Sequence, residues 1–392
     1  MTKYNFDELI DRKNTNSLKY DFSVERGRPA DVLPLWVADM DFRAPAPVLE
    51  ALHRAVDHGI FGYSEVKEEY YQAVSAWFGE HFDWKPEAGW LVKTPGVVYA
   101  IAMAIRALTN PGDSVLIQPP VYYPFFSAIR DNDRKIVENE LICQEGRYTI
   151  DFKDFEQKII DHRVKLFILC SPHNPVGRVW TEEELRRMGD ICRKYQVYVV
   201  SDEIHCDFTL PGYTHHTLLK ANPELAASSV ICTAPSKTFN LAGLQISNIW
   251  IPDEKIRRKF VKEMDRSGYS QLNTLGLVAC QAAYEKGGEW LDSCRSYLKS
   301  NLDYLRDFLK EQLPQIKLVE PEGTYFAWLD CSALGLSQRE LNDLVINRAK
   351  LWLDSGHIFS PHAGQYQRVV LACPRATLEQ ALQQLKAAIA TL

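Results

Sequence analysis

A lysine at the end of an apolar, β-branched run is the residue of this chain best suited to covalent chemistry. In Ser229-Val-Ile-Cys-Thr-Ala-Pro-Ser-Lys237-Thr, the run Val230, Ile231, Cys232 reads as a short buried strand that Pro235 stops before a Ser-Lys-Thr turn. Lys237 then sits at a strand end, where burial is expected. Burial disfavours the ammonium, lowers its pKa and leaves a free amine able to form a Schiff base. A Ser-Lys-Thr turn alone is more often plain surface; the other strand ends decide its weight. They read Cys170-Ser-Pro-His-Asn174-Pro-Val-Gly177 and Ser201-Asp202-Glu-Ile-His205. Alone, Asn174-Pro is a turn and Asp202 a helix cap. A fourth stretch, Val92-Lys-Thr-Pro-Gly96-Val97, runs into an apolar helix reaching Leu108. A helix starting at a glycine offers unpaired N–H groups and a positive dipole end to a phosphate, and the same residues also suit tight helix packing.

A lysine, a carboxylate, an amide and a phosphate-ready helix start are together what pyridoxal phosphate requires. The lysine would hold the aldehyde as an imine, and Asp202 would keep the pyridine nitrogen protonated. A contact at about 4 Å is worth roughly 4 kcal/mol at an effective dielectric near 20, about three pK units, which holds that proton at neutral pH. Asn174 can donate to the ring O3′ oxygen. Pro119-Pro-Val-Tyr122-Tyr123 offers an aromatic side chain to stack on the ring.

Such residues converge only if a rigid sheet carries them. Apolar runs at Val115–Ile117, Lys135–Val137, Val164–Cys170, Val197–Val200, Val230–Cys232 and Ile249–Ile251 alternate with helical stretches. One of these helices opens on Thr181-Glu-Glu-Glu184, a capping-box pattern. Near-continuous apolar strands separated by helices predict an α/β fold with a largely parallel sheet covered on both faces, whose ligands lie beyond the strands' carboxyl ends. Beyond Pro252 the pattern turns to long helices, one from about Gly288 to Leu313, then to short strands mixed with helices near Ser337 and Thr377. The expected organisation is an N-terminal arm over residues 1–45 packing on the small domain, a large cofactor-binding domain over 46–287 and a small C-terminal α/β domain over 288–392. In the arm, Leu35-Trp-Val-Ala-Asp-Met-Asp-Phe42 places an aromatic and two aspartates either at a pocket mouth or in plain packing.

With 45 basic against 51 acidic residues, a net charge of −6 and no basic run, the chain is a poor partner for nucleic acid or an anionic membrane. No stretch of eighteen uncharged apolar residues or signal-like N-terminus stands out, so a soluble, cytoplasmic protein is expected. Nine cysteines, Cys170, Cys192 and Cys232 among them, lack Cys-x-x-Cys pairs and read as reduced core residues. His205-Cys206 and His215-His216 lack the spaced partners of a tetrahedral metal site, so no metal is expected.

The order Pro95-Gly96, Pro120-Val-Tyr122, Pro172-His-Asn-Pro-Val-Gly177, Asp202-Glu-Ile-His205 and Ser236-Lys-Thr-Phe-Asn-Leu-Ala-Gly243 resembles the class I aminotransferase superfamily of pyridoxal-phosphate enzymes along essentially the whole chain. Trp36-Val-Ala-Asp-Met-Asp-Phe42, His205 and Leu371-Ala-Cys-Pro-Arg375 look most like its cystathionine β-lyase or cysteine-S-conjugate β-lyase branch. The resemblance implies an aspartate-aminotransferase-like fold (fold type I), Lys237 as Schiff-base lysine and proton shuttle, and Asp202 on the pyridine nitrogen. It further implies Asn174 on O3′, Tyr122 stacking, the Gly96 and Val97 backbone on the phosphate, and Arg368 on the substrate α-carboxylate. Tyr63 would reach the phosphate of a neighbouring subunit, which implies a homodimer. His205 stands where aminotransferases usually carry a tyrosine bonding O3′. Gln245 replaces a phosphate-binding arginine, Ala234 a serine and Val370 an asparagine, so Ser236 and helix N–H groups carry more of the phosphate. The implied reaction is α,β-elimination from L-cystathionine or a cysteine S-conjugate to thiol, pyruvate and ammonia; the alternative is amino transfer to a 2-oxo acid. No second arginine for a distal carboxylate is evident, which favours cystathionine or neutral and aromatic conjugates. A P-loop reading of Lys237-Thr238 fails, because Ser236 and Ile231 stand where glycines are required.

Overall fold

Runs of five fully buried residues, Leu166–Cys170 and Ser229–Thr233, are tolerated only in a sheet covered on both faces. The computed structural model describes residues 4–392 and contains such a sheet. Its seven strands lie in the order Leu91–Thr94, Ser247–Trp250, Ser229–Thr233, Tyr198–Asp202, Leu166–Cys170, Ser114–Ile117, Lys135–Glu138. Ser247–Trp250 runs antiparallel to both neighbours, and the remaining pairs are parallel. The side-chain period of two divides each strand between two cores. Val115, Ile117 and Ile168 pack with Ile101, Ile105 and Phe260 on one face, and Leu116, Phe167 and Leu169 join Leu185, Met188 and Cys280 on the other. Register sets Cys170 opposite Asp202 and Asp202 opposite Cys232, so three neighbouring strands finish in one row.

Local signals in the sequence act as written. Thr181 accepts from the Glu184 N–H and Glu184 answers to the Thr181 N–H, starting the helix Glu182–Lys194 with three acidic residues at its positive end. Eight of the nine cysteines are buried, Cys143 is exposed, and all nine are unpaired. No helix among the described residues is long and apolar enough to cross a membrane.

A second sheet of four antiparallel strands, Lys317–Val319, Phe326–Asp330, Tyr366–Val370 and Asp354–Ser355, has its own core. Leu302, Leu305 and Leu309 of the helix Gly288–Gln312 pack there with Leu378, Leu382 and Leu385 of the helix Arg375–Ile389. The arm is not wholly irregular: Leu33–Pro34 pairs in parallel with Leu351–Trp352, and Leu35 enters this second core. Strands of two or three residues, such as these, Asp354–Ser355 and the hairpin Ile142–Gln144 with Arg147–Thr149, are too short to show a period of two.

Glu322 ties the two sheets. Its buried carboxylate accepts from Arg178 Nε at 2.8 Å, the Val179 N–H at 2.9 Å and Arg147 Nε at 3.1 Å. Arg178, only 2% exposed, also reaches Glu184 and the Tyr148 carbonyl. Glu322→Ala leaves Arg178 with Glu184 as its remaining counter-ion and strips the acceptor from Arg178 Nε and the Val179 N–H, so unfolding in urea is expected to lose about 2 kcal/mol; an unchanged midpoint contradicts this role.

Candidate active site

At the carboxyl ends of the parallel strands a cavity of 440 Å³ is lined by Gly96, Val97, Tyr122, Asn174, Asp202, His205, Ser236 and Lys237, with Ala38, Gln245 and Ser247 among the other walls. Lys237 stands in the single helical turn Pro235–Thr238 directly after its strand. Its Nζ donates to the Ala38 carbonyl at 3.2 Å, which also accepts from the Tyr325 hydroxyl at 2.8 Å. Burial brings the amine down to about 8; the Asp39 and Asp202 carboxylates oppose the shift, and the Arg368 charge adds to it.

Asp202 titrates in the opposite sense. Burial pushes its carboxyl up to about 7 and the adjacent Glu203 charge adds to this, while the Ile204 N–H, 3.2 Å from Oδ1, and Lys237 resist. It makes a local turn contact rather than capping a helix. Burial holds His205 well below its ordinary range, so the ring is neutral between the edges of Tyr325 and Phe326, and its Nδ1 has no partner.

Asn174 Oδ1 accepts from Arg368 Nη1 at 2.9 Å, leaving the amide N–H groups free to donate. Arg368 Nη2 donates to the Trp36 carbonyl at 2.7 Å and pairs with Asp354, its cross-strand partner. The guanidinium lies 4.4 Å from the Phe326 ring centroid and 5.0 Å from that of Phe359. The helix Val97–Leu108 begins at Gly96 with no side-chain cap and no acidic residue in its first turn, so its leading N–H groups are uncommitted. A Cβ built on Gly96 meets no atom within 4 Å. Tyr63 is apart from these residues: it is 92% exposed, between the helices Ala46–His58 and Glu68–Phe82, and does not line the cavity. Ala234 is buried outside the lining, and Val370 is fully buried.

The two aspartates of the arm do not line this cavity. Asp39 and Asp41 pair with Arg12 at 2.6 and 2.7 Å, and Asp41 also takes the fully buried Lys19 at 2.8 Å. Ala38 lies in the marked stretch Leu35–Phe42, but Tyr325 and Asp354 reach the site's residues without any sequence motif marking them. Only the pairing of distant segments brings them there; Tyr325–Leu329 is apolar throughout and buried on both faces, so it shows no alternation.

A pyridoxal phosphate group fits this donor set. The cavity holds an amine near neutrality and a buried carboxyl with one local partner. It also holds an unengaged amide, an orphaned imidazole nitrogen and an uncapped helix start.

Comparison with known proteins gives the same direction. The family model described as aminotransferase class I and II matches residues 30–385. The cystathionine beta-lyase PatB of Bacillus subtilis is 44% identical over 385 residues, covering 98% of this chain and all of that protein. Cystalysin from Treponema denticola, whose structure contains pyridoxal 5'-phosphate, superposes with a TM-score of 0.95 at 39% identity, covering 99% of both chains. The pyridoxal-phosphate-bound C-S lyase from Staphylococcus hominis gives 0.92 at 36% identity over 98% of both.

The depressed Lys237 value has a direct consequence. In protein freed of cofactor, the rate at which Lys237 condenses with an aldehyde reagent should rise with pH through a midpoint of about 8, as the neutral amine appears. Asp202→Asn removes a charge that favours the ammonium, so the midpoint should fall. A midpoint near the ordinary lysine value in both proteins contradicts the burial argument.

Proposed function

The chain belongs to the class I and II aminotransferase family, and from that premise we infer that it is a pyridoxal-phosphate-dependent carbon–sulfur β-lyase acting on L-cystathionine or related cysteine S-conjugates. The observation that carries this reading is the convergence of Lys237, Asp202, Asn174 and an uncapped helix start on one cavity. Its lyase branch is supported by the full-length likeness to the cystathionine beta-lyase PatB and to the C-S lyase from Staphylococcus hominis.

When bound, pyridoxal phosphate draws electron density from Cα of an attached amino acid. The chain's own groups do the rest. Gly96 and Val97 N–H groups with Ser236 hold the phosphate, and Tyr122 stacks on the ring. Asn174 donates to the ring oxygen with neutral His205 nearby, and Asp202 keeps a proton on the ring nitrogen. Arg368, oriented by Asn174, Asp354 and the Trp36 carbonyl, takes the α-carboxylate. Lys237 Nζ removes the Cα proton, and its depressed pKa suits a base working near neutral pH. The Cβ–S bond then breaks with its electron pair going to sulfur, and the thiolate takes up a proton. The released enamine adds water and yields pyruvate and ammonia. A transaminase shares the first proton transfer but returns the proton elsewhere and needs a 2-oxo acid.

The same reading covers assembly, organisation and location. Exposed Ile60, Phe61 and Tyr63 on one loop support a homodimer in which Tyr63 serves the neighbouring subunit's phosphate. A core of its own on one face of the second sheet supports the division into an arm over 1–45, a large domain over 46–287 and a small domain over 288–392, while Phe326, Trp328 and Val370 on its other face join the core of the large sheet. Unpaired thiols support a cytoplasmic location.

Purified protein given cystathionine without any 2-oxo acid should release pyruvate and thiol, and Lys237→Ala should lower that rate by at least about 10³-fold. Pyruvate at the unmutated rate from the variant, or none from the parent without an added 2-oxo acid, defeats the assignment. Tyr63→Phe should weaken cofactor retention about tenfold, the equivalent of one charge-assisted hydrogen bond, while light scattering still reports a dimer. A monomer in the parent protein would remove the shared-site reading.

A further inference from the structure

Arg28 belongs to the arm, yet it ends beside the arginine assigned to the substrate. Its guanidinium lies 5.9 Å from the Trp352 ring centroid, and Trp352 stacks on Trp36 at 4.3 Å with the planes 9° apart. Trp36 in turn presents its carbonyl to Arg368 Nη2, and the Arg28 charge acts on Asp354, the ion-pair partner of Arg368.

Two features make this corner unusual. Among the described residues the Arg28 guanidinium has no hydrogen bond and no ion pair, and its Nε, the Arg368 Nε and the Trp36 indole N–H are all enclosed without an acceptor. Trp36 is 7% exposed and Arg368 2%, while Arg28 is half-buried, with its Nε enclosed. Buried N–H donors in folded proteins nearly always have acceptors, and three in one place mark a site built for an acceptor. Charge points the same way. Arg28 and Arg368 both act on the one carboxylate there, Asp354, so this corner carries more positive than negative charge.

We propose that Arg28 and Trp36 form a second anion subsite that takes a carboxylate at the far end of a cysteine conjugate's thioether side chain. The assignment rests on the lyase reading and names its substrate class: conjugates whose leaving thiol carries a carboxylate, cystathionine among them. The arm thus supplies the second arginine that no motif in the sequence marks.

The test compares S-(2-carboxyethyl)-L-cysteine with its neutral isostere S-(2-carbamoylethyl)-L-cysteine. The parent enzyme should prefer the carboxylate. Arg28→Gln should raise KM for it about tenfold, the worth of one charge-assisted hydrogen bond, with kcat and the carbamoyl substrate within about twofold. Arg28→Lys should restore part of the loss. Binding of 3,3′-thiodipropionate, which has both carboxylates and no amino group to react, supplies a readout free of catalysis: calorimetry on the holoenzyme should show the same weakening in Arg28→Gln. Equal loss on both substrates, or no loss on either, overturns the subsite. Absence of pyruvate from both conjugates with the parent enzyme instead removes the lyase reading, and thiodipropionate binding still decides whether the anion subsite exists.

Discussion

An amine held out of water at the end of a strand is the costly feature around which this fold is arranged. Charging Lys237 in its buried position is unfavourable enough to bring it near neutrality, and the surroundings temper that cost without cancelling it. The arm provides the main contact, the Ala38 carbonyl, and the Tyr325 hydroxyl fixes that carbonyl from the second sheet. Asn240, three residues beyond the lysine, clasps the same arm segment by accepting from the Met40 N–H and donating to the Met40 and Phe42 carbonyls. The lysine loop and the arm therefore hold each other, and the Asp39 and Asp41 charges that this brings close are met by Arg12 and Lys19.

The sheet does for the other groups what the arm does for the lysine. Parallel strands in register deliver Asn174, Asp202 and Lys237 from three adjacent ends, with apolar side chains below them on both faces. Burial that stabilises the strands also desolvates Asp202 and His205, in opposite senses: the acid is pushed toward its neutral form at about 7, and the imidazole is kept neutral far below its usual range. One desolvated environment thus yields a carboxyl ready to bind a proton and a histidine that does not compete for it.

How much of this could be read from the sequence follows from the range of each interaction. The strands, the Thr181 capping box and the polar strand ends are local, written within a few residues, and were legible as a parallel α/β sheet with a candidate constellation at its edge. The partners of those residues are not local. Ala38 meets Lys237 across about two hundred positions, Tyr325 meets Ala38 across nearly three hundred, and Asp354 reaches Arg368 through a two-residue strand whose pattern is too short to be periodic. Asp39 and Asp41 illustrate the limit: their spacing suggested either a pocket mouth or packing, and only the fold shows them paired with Arg12 and Lys19 beside a second cavity rather than lining the one that holds Lys237.

Arg368 and Asp354 carry the electrostatic logic one step further. A lone guanidinium at 2% exposure would bear a heavy desolvation cost, which Asp354 offsets; the pair is nearly neutral, so an incoming α-carboxylate gains little from bare attraction. What it meets instead is orientation. Two neutral acceptors, Asn174 Oδ1 and the Trp36 carbonyl, and two aromatic faces, Phe326 and Phe359, fix the plane of the guanidinium while leaving Nε without an acceptor. A group held this way discriminates by geometry rather than by charge. Asn174 ties that geometry to the cavity around Lys237, because the amide that orients Arg368 through its oxygen keeps its N–H groups free to donate there. On the proposed reading, substrate and cofactor would be aligned through this one side chain.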